Sequence, residues 1–170
     1  MIPAMNRQQR RMMEKQQARA RATRRPGRPG RPARLPMLIK TQQTLAPLES
    51  IIDQIERDGT VTVDARGLPI FYCVADGEWY ASAPAILGMA DFFDMWATRH
   101  GREFKAAALR QLAKRLEVGM PVDAPLLAAL HAEIPTLRRI GAGLDQDDAT
   151  DLLQQTRILA ELDAARATGA

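Results

Sequence analysis

Apolar residues recur at helical spacing along most of the chain after residue 44. Leu45, Leu48, Ile51, Ile52 and Ile55 share one face and predict a helix that stops at Asp58-Gly59. The period then drops to two. Thr60–Asp64 alternates as a strand, Arg66-Gly67-Leu68-Pro69 reads as a turn, and Ile70–Ala75 as a second strand. Asp76-Gly77 is a tight-turn pair and Glu78–Ala81 a third strand, which together predict a three-stranded antiparallel meander, too small to stand alone. Helical spacing returns at Ser82, a predicted N-cap with Pro84 in the first turn. Ile86, Ala90, Phe93 and Trp96 line this helix, and Arg99-His100-Gly101 closes it. Phe92 and Met95 fall off that line, so the helix is either buried on both sides or keeps a face for a partner, a second copy included.

Four more helices follow by the same criterion. Residues 103–118 place Phe104, Ala108, Leu112 and Leu116 inward. Asp123 opens a short helix with Leu126, Leu127 and Leu130, and Pro135 opens another with Leu137 and Ile140, stopped by Gly141-Ala142-Gly143. Residues 147–166 form the last, with Leu152, Leu153, Leu159 and Leu162. The expectation is an α+β, mostly helical body over 45–168: one helix, a three-stranded meander, then about five helices. Alanine and leucine dominate a 46% hydrophobic chain in which aromatics are only 5%, which suits helices better than a β-sandwich.

The first 44 residues break this pattern. Asn6–Thr23 is rich in helix formers but has no apolar stripe beyond Met5 and Met12, so it is expected to be disordered when free and helical when bound. Arg24–Pro36 carries the run Arg25-Pro26-Gly27-Arg28-Pro29-Gly30-Arg31-Pro32, which reads as an extended linker. Charge separates the same two regions. Residues 1–40 hold twelve arginines and lysines against one acid, Glu14, for a net +11; residues 41–170 hold twelve bases and nineteen acids, a net −7. The overall +4 hides a basic arm on an acidic body, and such asymmetry points to a polyanion, most often nucleic acid.

Candidate phosphate contacts are Arg7, Arg10, Arg11, Lys15, Arg19, Arg21, Arg24, Arg25, Arg28, Arg31 and Arg34; none needs special spacing to neutralise a phosphate and release a counterion. Gly27-Arg28-Pro29 and Gly30-Arg31-Pro32 resemble the Gly-Arg-Pro core of AT-hook peptides. That resemblance implies arginines 28 and 31 reaching into a narrow minor groove. Pro26 and Pro29 stand where AT-hooks carry arginine. The stretch Arg10–Ala18 resembles the arginine-rich helix of lambdoid antitermination N proteins, which implies an RNA hairpin as ligand; the stacking tryptophan of that helix is missing here. The opening Met5-Asn6-Arg7-Gln8-Gln9-Arg10-Arg11 resembles the starts of small bacteriophage proteins and marks Met5 as a second candidate start. A contrasting reading makes the arm an interaction tail that embraces an acidic protein surface, another copy of the body or its own body.

Catalysis finds little support. His100 and His131 are far apart, and neither has a cysteine or second histidine nearby in sequence, so no zinc site, other metal or cofactor is expected. Cys73, in an apolar strand, reads as a packing residue, and a single cysteine excludes an internal disulfide and suits a reducing compartment. Asp145, Asp147, Asp148 and Asp151 fail the calcium-loop pattern at Ala149 and read as acids that complement a helix start. No apolar run is long enough for a membrane span. The basic start lacks the apolar core of a secretory signal, and a Pro/Gly run speaks against a transit peptide. The sequence therefore predicts a cytoplasmic, non-enzymatic protein that binds DNA or RNA through its arm, with the body making protein contacts or self-associating. A regulatory role and a phage origin fit this reading. The alternative is a virion or packaging component whose arm reaches between subunits or touches the genome.

Overall fold

The apolar stripe of Leu45, Leu48, Ile51, Ile52 and Ile55 is buried along one helix, α1 (Met37–Asp58). The computed structural model describes residues 36–74 and 77–168. Helix α1 starts at Met37 rather than at Leu45, the first residue of the apolar stripe. In its extra turns Thr41 is buried, its hydroxyl donating within the helix to the Met37 carbonyl at 2.8 Å, and Met37 packs on Leu144, Ala149 and Leu152. Pro47 lies inside the helix and removes one backbone donor, yet the stripe keeps its phase across it. Gly59 ends α1 with φ +72°, its N–H bonded to Ile55 O at 2.8 Å.

The three-stranded meander is corrected to two strands. Strands β1 (Ile70–Cys73) and β2 (Glu78–Ala81) pair antiparallel, with Phe71 opposite Tyr80 and Tyr72 opposite Trp79. The expected strand Thr60–Asp64 makes only one bridge, Val63 to Pro69, flanked by Asp64 N–H to Leu68 O and Ile70 N–H to Thr62 O. The ladder stops because the chain turns toward the helices. Val61 is buried in the core, and the Thr62 hydroxyl accepts from Gln54 Nε2 of α1 at 3.0 Å. The Asp64 carboxylate closes the intervening turn by accepting the N–H groups of Arg66 and Leu68, at 2.9 and 2.8 Å. The second strand ends at Cys73 rather than Ala75, a residue outside those described.

Helix α2 (Ser82–Arg99) begins as expected but without a serine cap. The Ser82 N–H is spent on the sheet, donating to Pro69 O at 2.9 Å, and its hydroxyl is buried with no partner among the described residues. Helix α3 (Ala107–Glu117) starts four residues later than expected, because 103–106 runs as a loop that lays Phe104 on the core. The two short helices expected at Asp123 and Pro135 are one helix, α4 (Ala124–Ala142). Pro135 lacks an N–H, but Leu126, Leu130, Ile134, Leu137 and Ile140 stay on one buried face across it, and that burial outweighs the lost bond. Asp123 caps α4, accepting from Leu126 N–H at 3.0 Å. Helix α5 (Gln146–Thr168) completes a mostly helical fold of five helices and one small antiparallel sheet among the described residues.

α1 packs on α4 and β1, α2 on α3 and α5, and α3 on α4. Leu48, Ile52, Ile86, Leu109, Leu112, Leu130 and Leu137 form the fully buried centre. The second apolar face of α2 is covered too: Phe92, Met95 and Trp96 pack on Leu144, Ala149 and Leu152 at the start of α5.

Candidate functional site

Every arm residue named as a phosphate contact, from Arg7 to Arg34, lies outside the described residues, as does Met5. The body can be compared with them by what its own cations do. Of the thirteen arginines and lysines from Lys40 to Arg166, at least eight are engaged with body carboxylates. Arg110 spans Asp91 and Asp94, Arg115 meets Asp123, and Arg138 meets Glu49. These pairs sit at or near the surface, where each contributes little to stability, but they leave few cations free for a phosphate backbone.

Arg99, at the end of α2, ties the last helix in place. Its guanidinium meets Asp148 and Asp151 and donates to Gln155 at 2.9 Å, while His100 Nε2 lies 3.1 Å from Asp148. The Asp148 carboxyl is held below its ordinary range, first by the Arg99 hydrogen bond. Asp145 accepts the Asp147 N–H at 2.8 Å, so the acidic cluster caps α5 and anchors it to α2. His131 contacts Glu56 at 2.7 Å, on α4 and α1 respectively. The two histidines thus serve different surface pairs, and among the described residues no three His, Cys, Asp or Glu side chains converge as metal ligands.

The N-terminus of α3 is capped from other helices, because Ala106 and Ala107 have no acceptor to offer. Asp94 of α2 accepts the Ala106 N–H at 2.7 Å and Arg110 Nε at 2.9 Å. Glu133 of α4 accepts the Ala108 N–H at 3.1 Å. Burial pushes the Glu133 carboxyl above its ordinary range, against the pull of the Ala108 and Leu109 N–H groups, and its second oxygen is buried without a partner among the described residues.

Two apolar features remain open to a ligand or partner. The first is a groove between α1 and α2 in two adjoining chambers, of about 530 and 350 Å³, which share Lys40, Thr44, Ala85 and Met89. One chamber reaches Phe71, Cys73 and Tyr80 of the sheet, the other Leu144 and Leu153 near α5. The second is the far half of α5. Past Thr156 no described residue of this helix is buried, and Ile158, Leu159 and Leu162 are about half exposed.

Family models, characterised proteins and solved structures were compared with this chain, and none matches. The arrangement itself must therefore carry the functional reading. No helix among the described residues is long and apolar enough to cross a membrane. Sequence reasoning found the apolar stripes of the fold but neither its polar anchors, Arg99, Asp94 and Glu133, nor the groove. Its one charged residue, Lys40, was counted with the basic arm, and Ala85 and Gly88 carry no apolar signal.

Proposed function

We propose that this is a non-enzymatic nucleic-acid-binding protein in which the arginine-rich arm contacts phosphates and the body makes protein contacts. The observation that carries this reading is the charge division: a net +11 within residues 1–40 against −7 over the other 130. The internal pairing of most body arginines supports it, since those cations are already engaged. Arg7, Arg10, Arg11, Lys15, Arg19, Arg21, Arg24, Arg25 and Arg34 supply the salt-dependent attraction, and Arg28 and Arg31, each between glycine and proline, enter a groove. Phosphate contacts position a protein without reading sequence, so affinity exceeds specificity.

The full chain and a variant with the ten arm arginines changed to glutamine are to be compared on AT-rich duplex, GC-rich duplex and hairpin RNA. The proposal expects binding by the full chain alone. Preference for AT-rich duplex supports groove entry, and preference for the hairpin supports a helix folding on RNA. Equal binding by both proteins would remove the arm from the account.

A second reading, an assembly component, is favoured by the exposed leucines of α5. Ile158, Leu159 and Leu162 sit on a helical stretch with no cover from the body, as a surface for another subunit does. Light scattering on the full chain and on Leu159→Glu tests it: a mass above one chain that falls in the variant supports the reading, and a single-chain mass in both removes it.

A further inference from the structure

We infer that the groove between α1 and α2 binds a small amphipathic anion, an unbranched alkyl carboxylate, with the tail along the apolar floor and the carboxylate at Lys40. Three observations converge. The chambers, at about 350 and 530 Å³, fall in the range of small-molecule sites and are lined by apolar side chains with a few polar groups. Lys40 lines both chambers where they meet and is the single charged residue among the described residues lining either. The body carries nineteen acids after residue 40, so a groove free of carboxylates with one lysine at its junction has a definite polarity.

The third observation is Gly88. It lies inside α2, where glycine costs about 1 kcal/mol relative to alanine. The fold does not demand it: its φ is ordinary, and a Cβ built there meets nothing within 4 Å. Gly141 is the contrast, since a Cβ there would come within 2.6 Å of Thr41. Gly88 instead opens the floor of the smaller chamber, where its missing side chain leaves room for a ligand against the helix backbone. Ala85, one turn earlier, keeps the passage between the chambers open in the same way. An open apolar groove with one cation at its junction suits a single alkyl chain.

The test is displacement of 11-(dansylamino)undecanoate from the full chain by dodecanoate, dodecanol and dodecyltrimethylammonium, below their micelle concentrations. Saturable binding with a stoichiometry of one is expected, with dodecanoate the strongest competitor. Gly88→Leu should keep its helix content and lose binding. Lys40→Met should weaken dodecanoate about fivefold, a surface ion pair's worth, and leave dodecanol unchanged. Both variants retain the basic arm, so undiminished dodecanoate binding in both would place the anion on the arm and overturn the inference. If Gly88→Leu does not fold, Ala85→Phe blocks the passage from an exposed position; retained binding there, or no saturable binding by the full chain, overturns it as well.

Discussion

A buried hydroxyl without a partner forfeits its hydrogen bonds to water, and Ser82 is in that position among the described residues. Ser82→Ala removes the unpartnered group and little volume, so thermal unfolding should show stability unchanged or raised. A loss above about 1 kcal/mol would mean that the hydroxyl is satisfied in solution. Gly141→Ala has the opposite sign. The new methyl would meet Thr41 where α1 and α4 cross, and overpacking of this kind costs about 1–3 kcal/mol. Thr41→Ala in the same chain should recover most of that loss, a coupling that a denaturant-melt double-mutant cycle reads directly. Glu133 gives a pH dependence. Its folded pKa is raised, so its contribution to stability is complete below the ordinary carboxylate value of about 4 and is lost as pH rises through the folded value. Asp148 runs the other way: its contribution is present above that ordinary value and lost as pH falls through its lowered one. Urea midpoints should therefore fall for the wild type as pH rises above the ordinary carboxylate value of about 4, and stay flatter for Glu133→Gln.

At the scale of elements, two anchors hold pieces that lack local support. Helix α3 has no capping side chain of its own and depends on Asp94 and Glu133 from its neighbours, and α5 depends on Arg99. Arg99→Ala should speed hydrogen exchange across 146–156 while leaving the centre of α1 protected; uniform protection in both regions would show that packing of Leu152 suffices. The same elements show what the sequence could and could not reveal. The stripes of α1 and α2 were legible because, past Thr41 and Ser82 in their first turns, each buried residue is apolar and in phase. The start of α1 was not, because a threonine makes the contact there. Pro135 misled because a local rule for helix starts competes with a buried face that continues in register on both sides. The first expected strand failed for a similar reason: alternation in 60–64 is real, but Val61 and Thr62 are held by helices rather than by a neighbouring strand. Nothing local in the sequence marked the groove, since its shape comes from Ala85 and Gly88 facing a distant stretch of α1.

For the whole molecule, charge and fold divide the labour. The body pairs many of its own cations, presents an apolar groove with one lysine, and leaves the end of α5 uncovered. The arm concentrates positive charge in a segment with no apolar stripe. Affinity of the full chain for a short duplex, followed across a salt series, tests this division most directly. A plot of log affinity against log salt should be steep and linear, with a slope of about −0.9 for each phosphate neutralised, and replacing the arm arginines by glutamine should flatten it. A shallow slope in the full chain, or a steep one that survives the replacement, would contradict the account.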